Sequence, residues 1–455
     1  MIDRPVDEML RAAAGRKSAH MPGHKGRAPF PPGDPFSLDT TELPLTDNLW
    51  QPEGAVLRAE RLYAEAAGAG CTLFLTGGST AGIHCMLQLW AREGDTVILP
   101  RSAHLSAVNA CILGGLDPVW IPARQTADGL TTIAEADALA CMEAHPEAKA
   151  VLITRPDYFG GCIPLGRIAE KAHAMGMKLL ADEAHGAHLP WMDGPASAST
   201  FGADAWVQSC HKTLPALTGT AVLHLRDPAD RSRALTLLTR EQSSSPSYLL
   251  VRSIDDARAW MEEKGRSRLR DTARAVRALR DALPGMGLTD PHSLWSETGY
   301  EFDPTRLVID APEGGPALEE ALRGRGIDVE MADERRVVMI FTAIDEPEDI
   351  AAIGQALAAL PHAKTRLPGS GAPCPLPKKR FPPRAAAMGK TELIPIREAE
   401  GRVSAVSAGL YPPGVPLFVP GEVLSGEVLR RLAEAPRSRR FGLSGASIEC
   451  MAGED

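Results

Sequence analysis

The chain has 455 residues, 44% hydrophobic and 24% charged, with a formal net charge of -9; this length allows two or three domains, and the acidic balance excludes the basic face that binding a phosphate backbone needs. No run approaches the roughly 18 apolar residues of a membrane span, and the N-terminus, with Asp3, Asp7 and Glu8, lacks a secretory apolar region. The composition therefore predicts a cytoplasmic protein with neither nucleic-acid nor membrane partners.

Eight cysteines, Cys71, Cys85, Cys111, Cys141, Cys162, Cys210, Cys374 and Cys450, are scattered without a CxxC pair. That spacing fits buried free thiols better than a disulfide framework or a metal site. Val6 to Ala14 has the pattern of a short amphipathic helix, broken by a rigid Gly/Pro loop from His20 to Arg27. The rest of the first fifty residues lacks helical periodicity and is expected to drape over something larger. Ala55 to Ala67 reads as a helix burying Val56, Leu57, Leu62 and Tyr63.

Cys71 to Leu75 reads as a strand, followed by Thr76-Gly77-Gly78-Ser79-Thr80 and a helix from Ala81 to Ala91. A glycine turn with hydroxyls at a helix start is an anion site in outline, although a plain N-capped turn has the same residues. Thr96 to Leu99 is a strand leading to Arg101 and His104. Ala107 to Leu113 is a helix, Pro118 to Ile121 a strand, Ala134 to Ala144 a helix, Val151 to Thr154 a strand and Leu165 to Met175 a helix. Leu179 to Ala181 is the next strand, ending at Asp182. This alternation predicts a largely parallel sheet covered on both faces, with ligands at the carboxyl ends of its strands.

The apolar segment Ala203 to Val207 ends in Ser209-Cys210-His211-Lys212. Beyond it, Thr220 to Leu225 is a strand, Arg231 to Thr239 a helix, Gln242 to Tyr248 a hydroxyl-rich turn, and much of Asp255 to Leu283 a helix with a solvated arginine face. Arg306 to Ile309, Ala317 to Arg323, Asp328 to Met331, Val337 to Phe341 and Pro347 to Leu360 make a compact second α/β unit. Pro361 to Pro383, with its basic cluster Lys378-Lys379-Arg380, reads as a linker. The expected organisation is an extended segment over 1–50, a large domain over 51–253, a small α/β domain over 254–362, a linker over 363–384 and a C-terminal domain over 385–455.

Pyridoxal phosphate makes three chemical demands: an amine for its aldehyde, a nest of amides and hydroxyls for its phosphate, and a carboxylate for its pyridine nitrogen. Lys212, Gly78-Ser79-Thr80 and Asp182 are candidates for each in turn, and His104 for stacking on the ring. A lone lysine at a strand end is usually a solvated charge; its three companions change that expectation.

HMPGHKG (20–26), TGGSTAGI (76–83), DEAHGAH (182–188), SCHKTLPALTG (209–219), SPSYLL (245–250) and YPPGVPLFVPGE (411–422) together resemble the Orn/Lys/Arg decarboxylase family. The resemblance continues through Asp303-Pro304-Thr305-Arg306-Leu307 and Gly326 to Glu330. It implies fold type I, the aspartate-aminotransferase-like α/β architecture with a mostly parallel seven-stranded sheet, a smaller α/β domain and a C-terminal segment. It further implies pyridoxal 5'-phosphate as cofactor, Lys212 as its internal aldimine, Asp182 as the pyridinium partner and His104 as the stacking residue. Ala184 is implied behind the ring, with Ser79, Thr80, Ser209 and His211 on the phosphate. His185 and His188 are placed near the site, in supporting or catalytic roles. In the family the site lies at a dimer interface, so Ser243, Ser245 or Tyr248 is expected to serve the neighbouring subunit of a homodimer or higher oligomer.

The implied reaction is decarboxylation of arginine, lysine or ornithine to the amine, for polyamine biosynthesis. The alternatives are an aminotransferase or aldolase of the same fold, and a non-catalytic relative, against which intact Lys212 and Asp182 argue. A chain shorter than the family's large inducible members, without their N-terminal wing domain, points to a smaller biosynthetic oligomer. Leu105 departs from the polar residue many relatives carry after the stacking histidine. Asp47, Glu53, Glu330 and Asp333 are all open as the acidic group for the substrate's distal cation.

Overall fold

Along the strand Lys178–Asp182, Leu179 and Ala181 enter one hydrophobic cluster and Leu180 another. Successive strand residues point to opposite faces, so a strand apolar at every position needs cover on both sides. Thr96–Pro100 shows the same split, with Ile98 on one side and Val97 and Leu99 on the other. These runs are short and continuously apolar, and they lie in the central sheet.

The computed structural model describes residues 16–27, 29–30, 33–43, 45–125, 131–291, 299–362, 376–410 and 415–453. The expected helix over Val6 to Ala14, residues 363–375 of the expected linker and the first four residues of the Tyr411–Glu422 motif lie outside the described residues. Seven strands follow in the spatial order Cys71–Leu75, Ala221–Leu225, Ala205–Gln208, Lys178–Asp182, Ala150–Thr154, Thr96–Pro100 and Asp117–Ile121. Ala221–Leu225 runs antiparallel to both of its neighbours, and the other pairs are parallel. The expected mostly parallel sheet is present, with Gly78–Trp90, Leu105–Gly114 and Gly166–Ala174 among its covering helices.

Helix Ala55–Ala67 buries Val56, Ala59, Glu60, Tyr63, Ala64 and Ala67. Leu57 and Leu62, expected inside, are only half-buried. The stripe follows the i, i+3, i+4 spacing through small residues, and the two leucines flank it. The expected helix over Asp255 to Leu283 starts earlier, as Tyr248–Trp260, passes through a π turn at Met261–Gly265 and continues as Arg266–Ala282. A Cβ at Gly265 would meet Met261 Cε at 2.7 Å, so Met261 packs into the space the glycine leaves. No helix among the described residues is long and apolar enough to cross a membrane.

The second unit holds the antiparallel strands Arg306–Asp310, Arg336–Ile340 and Met331–Ala332. Leu307, Ile309, Val337 and Met339 pack there with Leu318, Leu322, Ile353 and Leu357 of the helices Gly315–Arg323 and Pro347–Ala358. The N-terminal segment does more than drape: Lys17–Ala19 pairs in parallel with Ile327–Val329, and Ala19 enters the same core. Three residues between loop glycines carry too little pattern to be read as a strand. A third core, with Phe418, Val428, Leu432 and Ile448, organises the C-terminal region.

Candidate active site

The carboxyl ends of neighbouring parallel strands carry the candidate residues. Strand Lys178–Asp182 delivers Asp182, which is 3% exposed and whose Oδ1 accepts the Ala184 N–H at 3.1 Å. Strand Ala205–Gln208 leads through Ser209 into the single turn Cys210–Thr213, which carries Lys212. The Ser209 N–H donates to the Ala184 carbonyl at 3.3 Å, stitching the two strand ends together. Lys212 Nζ stands 3.1 Å from His185 Nε2. Burial pushes the Lys212 ammonium below its ordinary value, with Arg306 adding to the effect and Asp182 and Glu330 opposing it. A lysine so placed loses its proton more readily than a surface lysine.

His185 is held well below the usual histidine range, first by burial and then by Lys212, Arg306, His104 and His211. It is therefore a neutral imidazole, and the edge of its ring meets Tyr158 at 5.0 Å between centroids. His104 follows strand Thr96–Pro100 and caps helix Leu105–Gly114, its Nδ1 accepting the Ser106 N–H at 3.2 Å. The residue as a whole is exposed, although burial is the main influence on its imidazole and lowers its proton affinity.

The glycine turn divides its labour. Gly78 sits at φ +71, a left-handed conformation that glycine adopts without strain, and its N–H is committed to the Gly219 carbonyl at 2.8 Å. Gln242 Oε1 takes the N–H groups of Thr76 and Gly77. The expectation that the Gly78 amide faces a ligand is therefore corrected: Gly78 shapes the turn. Ser79 and Thr80 lie in the first helical turn, where N–H groups have no intrahelical acceptor. Another hydroxyl here belongs to Ser209, whose Oγ is buried without a hydrogen-bond partner. An orphaned donor there, beside open helix amides and a buried lysine, suits an anionic aldehyde cofactor. His211 Nδ1 faces the Thr220 carbonyl at 3.0 Å and so carries the proton. Its Nε2 can donate to an anion only when the ring takes a second proton.

Two predicted residues fall away from this group. Ser245 is exposed and hydrogen-bonded to Ser243; the Tyr248 hydroxyl is spent on the Asp47 carbonyl at 2.7 Å. Neither meets Lys212 within the chain. Of the open acidic candidates, Asp47 accepts the N–H groups of Asn48, Glu53, Gly54 and Val56 at the start of helix Ala55–Ala67. Glu53 is exposed beside it. Asp333 accepts the N–H groups of Arg335 and Arg336.

Glu330 is saturated: Oε1 accepts from Tyr158 Oη at 2.7 Å, and Oε2 meets His20 Nδ1 at 2.6 Å and Met21 N at 3.1 Å. Burial raises this carboxyl, but the bonds from His20, Tyr158 and Met21 outweigh it and carry it to about 2. A depressed carboxylate stabilises the fold above its unfolded value of 4.5 and loses that contribution as pH falls to about 2. The shift corresponds to about 3 kcal/mol. Glu330→Gln is accordingly expected to be less stable than wild type near neutrality, with the gap closing in acid. Denaturant unfolding across that pH range checks it, and a gap independent of pH contradicts it.

The sequence reading missed how the His20–Gly26 loop contributes. Gly23 N–H donates to the His211 carbonyl at 2.7 Å, and a Cβ at Gly23 would meet Leu214 O at 2.5 Å. Buried Lys25 donates to the carbonyls of His20 and Ile340, both at 2.8 Å. The loop thus fastens the turn bearing Lys212 to the second unit. Arg306 was also passed over as a site residue, although its motif was noticed; an arginine opening a strand gives no sequence sign that it is wholly buried.

Residues 12–292 match the model for the Orn/Lys/Arg decarboxylase major domain, and residues 376–436 match that for the family's C-terminal domain. The chain belongs to the Orn/Lys/Arg decarboxylase family. It is 32% identical to an arginine decarboxylase of Bacillus subtilis, over 93% of this chain and 92% of the relative. It is also 32% identical to an arginine decarboxylase of Halalkalibacterium halodurans, over 92% and 90% respectively. Among solved structures, lysine decarboxylase A from Pseudomonas aeruginosa superposes with a TM-score of 0.77 at 20% identity, covering 91% of this chain and 74% of that one. The family's fold type I architecture is the one described above.

Proposed function

We propose that the protein is a cytoplasmic, pyridoxal-phosphate-dependent decarboxylase of a basic amino acid, with arginine the first candidate, and that its product amine feeds polyamine biosynthesis. The relatives named arginine decarboxylase support the substrate class. The observation that carries the reading is Lys212, almost buried at a strand end, 3.1 Å from a neutral imidazole and close to Asp182. When bound, pyridoxal phosphate supplies an electron sink for the bond from Cα to the carboxylate.

This chain's residues supply the rest. Lys212 offers the amine that holds the aldehyde, and its lowered proton affinity keeps that amine nucleophilic. Asp182 offers a negative charge to keep a proton on the pyridine nitrogen. The amides of Ser79 and Thr80 and the Ser209 hydroxyl would hold the phosphate, with Ala184 and His104 on the two sides of the ring. The alternative of transamination calls for an arginine that grips the substrate carboxylate. Arg306, fully buried, is engaged by His185 and Asp303; we take it as part of the site's wall and not as that clamp, which supports decarboxylation.

The same reading places a second copy of the chain over the segment 36–50. Phe36 is 90% and Leu45 95% exposed, too apolar to be left to water. Trp50 Nε1 donates to the Ser243 carbonyl at 3.1 Å, so Ser243, Ser245 and Tyr248 belong to this surface and serve the neighbour's site. The test of function is a panel of arginine, lysine and ornithine with both products measured. Equal amounts of carbon dioxide and the corresponding amine are expected from at least one; keto acid without carbon dioxide would replace this reading by transamination.

A further inference from the structure

Arg306 opens a strand of the second unit, yet its guanidinium lies inside the candidate site's wall. It is completely buried, and Nε and Nη1 have no hydrogen-bond partner. Nη2 stands 3.5 Å from His185 Nδ1 and 3.9 Å from Asp303 Oδ2, while His188 Nε2 approaches the same Asp303 oxygen at 3.2 Å. A guanidinium donates hydrogen bonds and accepts none. A proton on His185 Nδ1 would set donor against donor beside a full positive charge. The neutral ring therefore carries its proton on Nε2, the nitrogen that faces Lys212 Nζ at 3.1 Å.

That orientation constrains Lys212 in turn. An ammonium facing an Nε2–H repeats the clash of two donors, whereas a neutral amine accepts the hydrogen bond. His104 and His211 also act on His185, and the Tyr158 ring packs against it; the carboxylate of Asp303 engages Arg306 Nη2 at 3.9 Å and that of Asp182 acts on Lys212 and His104, while His185 Nδ1 itself meets the guanidinium. We propose that Arg306 is a positioning residue that fixes His185 as the Nε2–H tautomer and thereby holds Lys212 as the free amine, ready for an aldehyde. Its catalytic meaning rests on reading Lys212 as the cofactor anchor, but the tautomer and the state of the amine exist without cofactor.

The test uses the full-length, cofactor-free chain. Nitrogen-15 spectra of histidine-labelled protein, assigned with His185→Asn, are expected to show His185 protonated at Nε2 and bare at Nδ1 around neutral pH. Competitive acetylation read by mass spectrometry is expected to show Lys212 labelling about tenfold slower at neutral pH in Arg306→Met, one unit of proton affinity, and restored in Arg306→Lys, which keeps a cationic donor. A role confined to filling space would change the melting temperature and neither readout. A proton on Nδ1 in the wild type overturns the proposal even if the variants do not fold. Equal Lys212 labelling in wild type and a folded Arg306→Met also overturns it. If the substrate panel fails while both readouts hold, the functional reading is wrong and this relay stands.

Discussion

Lys212→Ala is expected to fold like the wild type and to lose turnover by at least about a thousandfold. The fold does not depend on this side chain: its amine hydrogen-bonds to His185, and its removal takes a polar group out of a buried setting. Turnover is expected to depend on it, because among the described residues no other amine has its setting at the strand end. Lys25, also buried, is bound to two carbonyls and lies 3.9 Å from Asp345, so it is not free to substitute. Single-turnover kinetics together with a thermal melt check the pair of expectations. A folded variant retaining a tenth of wild-type turnover would contradict the assignment.

The second large effect is at Asp182. Asp182→Asn keeps the shape and the acceptor for the Ala184 N–H at 3.1 Å, and deletes only the charge. On the proposed reading, a bound cofactor's pyridine nitrogen would then hold its proton less firmly and serve as a weaker electron sink. The expected fall in kcat is on the order of a hundredfold or more, with KM for the amino acid little changed. Asp182→Glu, which restores the charge one methylene further out, is expected to recover part of the loss. Steady-state kinetics on the three proteins decide, and an asparagine variant with wild-type kcat would sink the role given to Asp182.

The placement of the candidate residues at strand ends was legible because each demand proposed for them leaves residues together in sequence. Strand, glycine turn and hydroxyls mark one corner, a carboxylate at a strand end another, and a lysine after a strand the third; the sheet then brings them to one edge. The alternating elements were readable for the same local reason, apart from boundaries. What sequence hid was long-range. The partnership of Glu330 with His20 and Tyr158 spans some three hundred residues on one side, and nothing local distinguishes it from a surface glutamate. The burial of Arg306 against His185 and the pairing of Lys17–Ala19 with Ile327–Val329 likewise come from the second unit folding onto the first. The role of Gly78 was misjudged because a glycine turn signals backbone freedom, while the fate of its amide is set by Gly219, far along the chain.

The most direct measurement is borohydride trapping of the cofactor on the purified protein, followed by peptide mapping. The account predicts one pyridoxyl group per chain, on the peptide containing Ser209-Cys210-His211-Lys212 and localised to Lys212. A modification on another lysine, or a cofactor released intact after reduction, would contradict it.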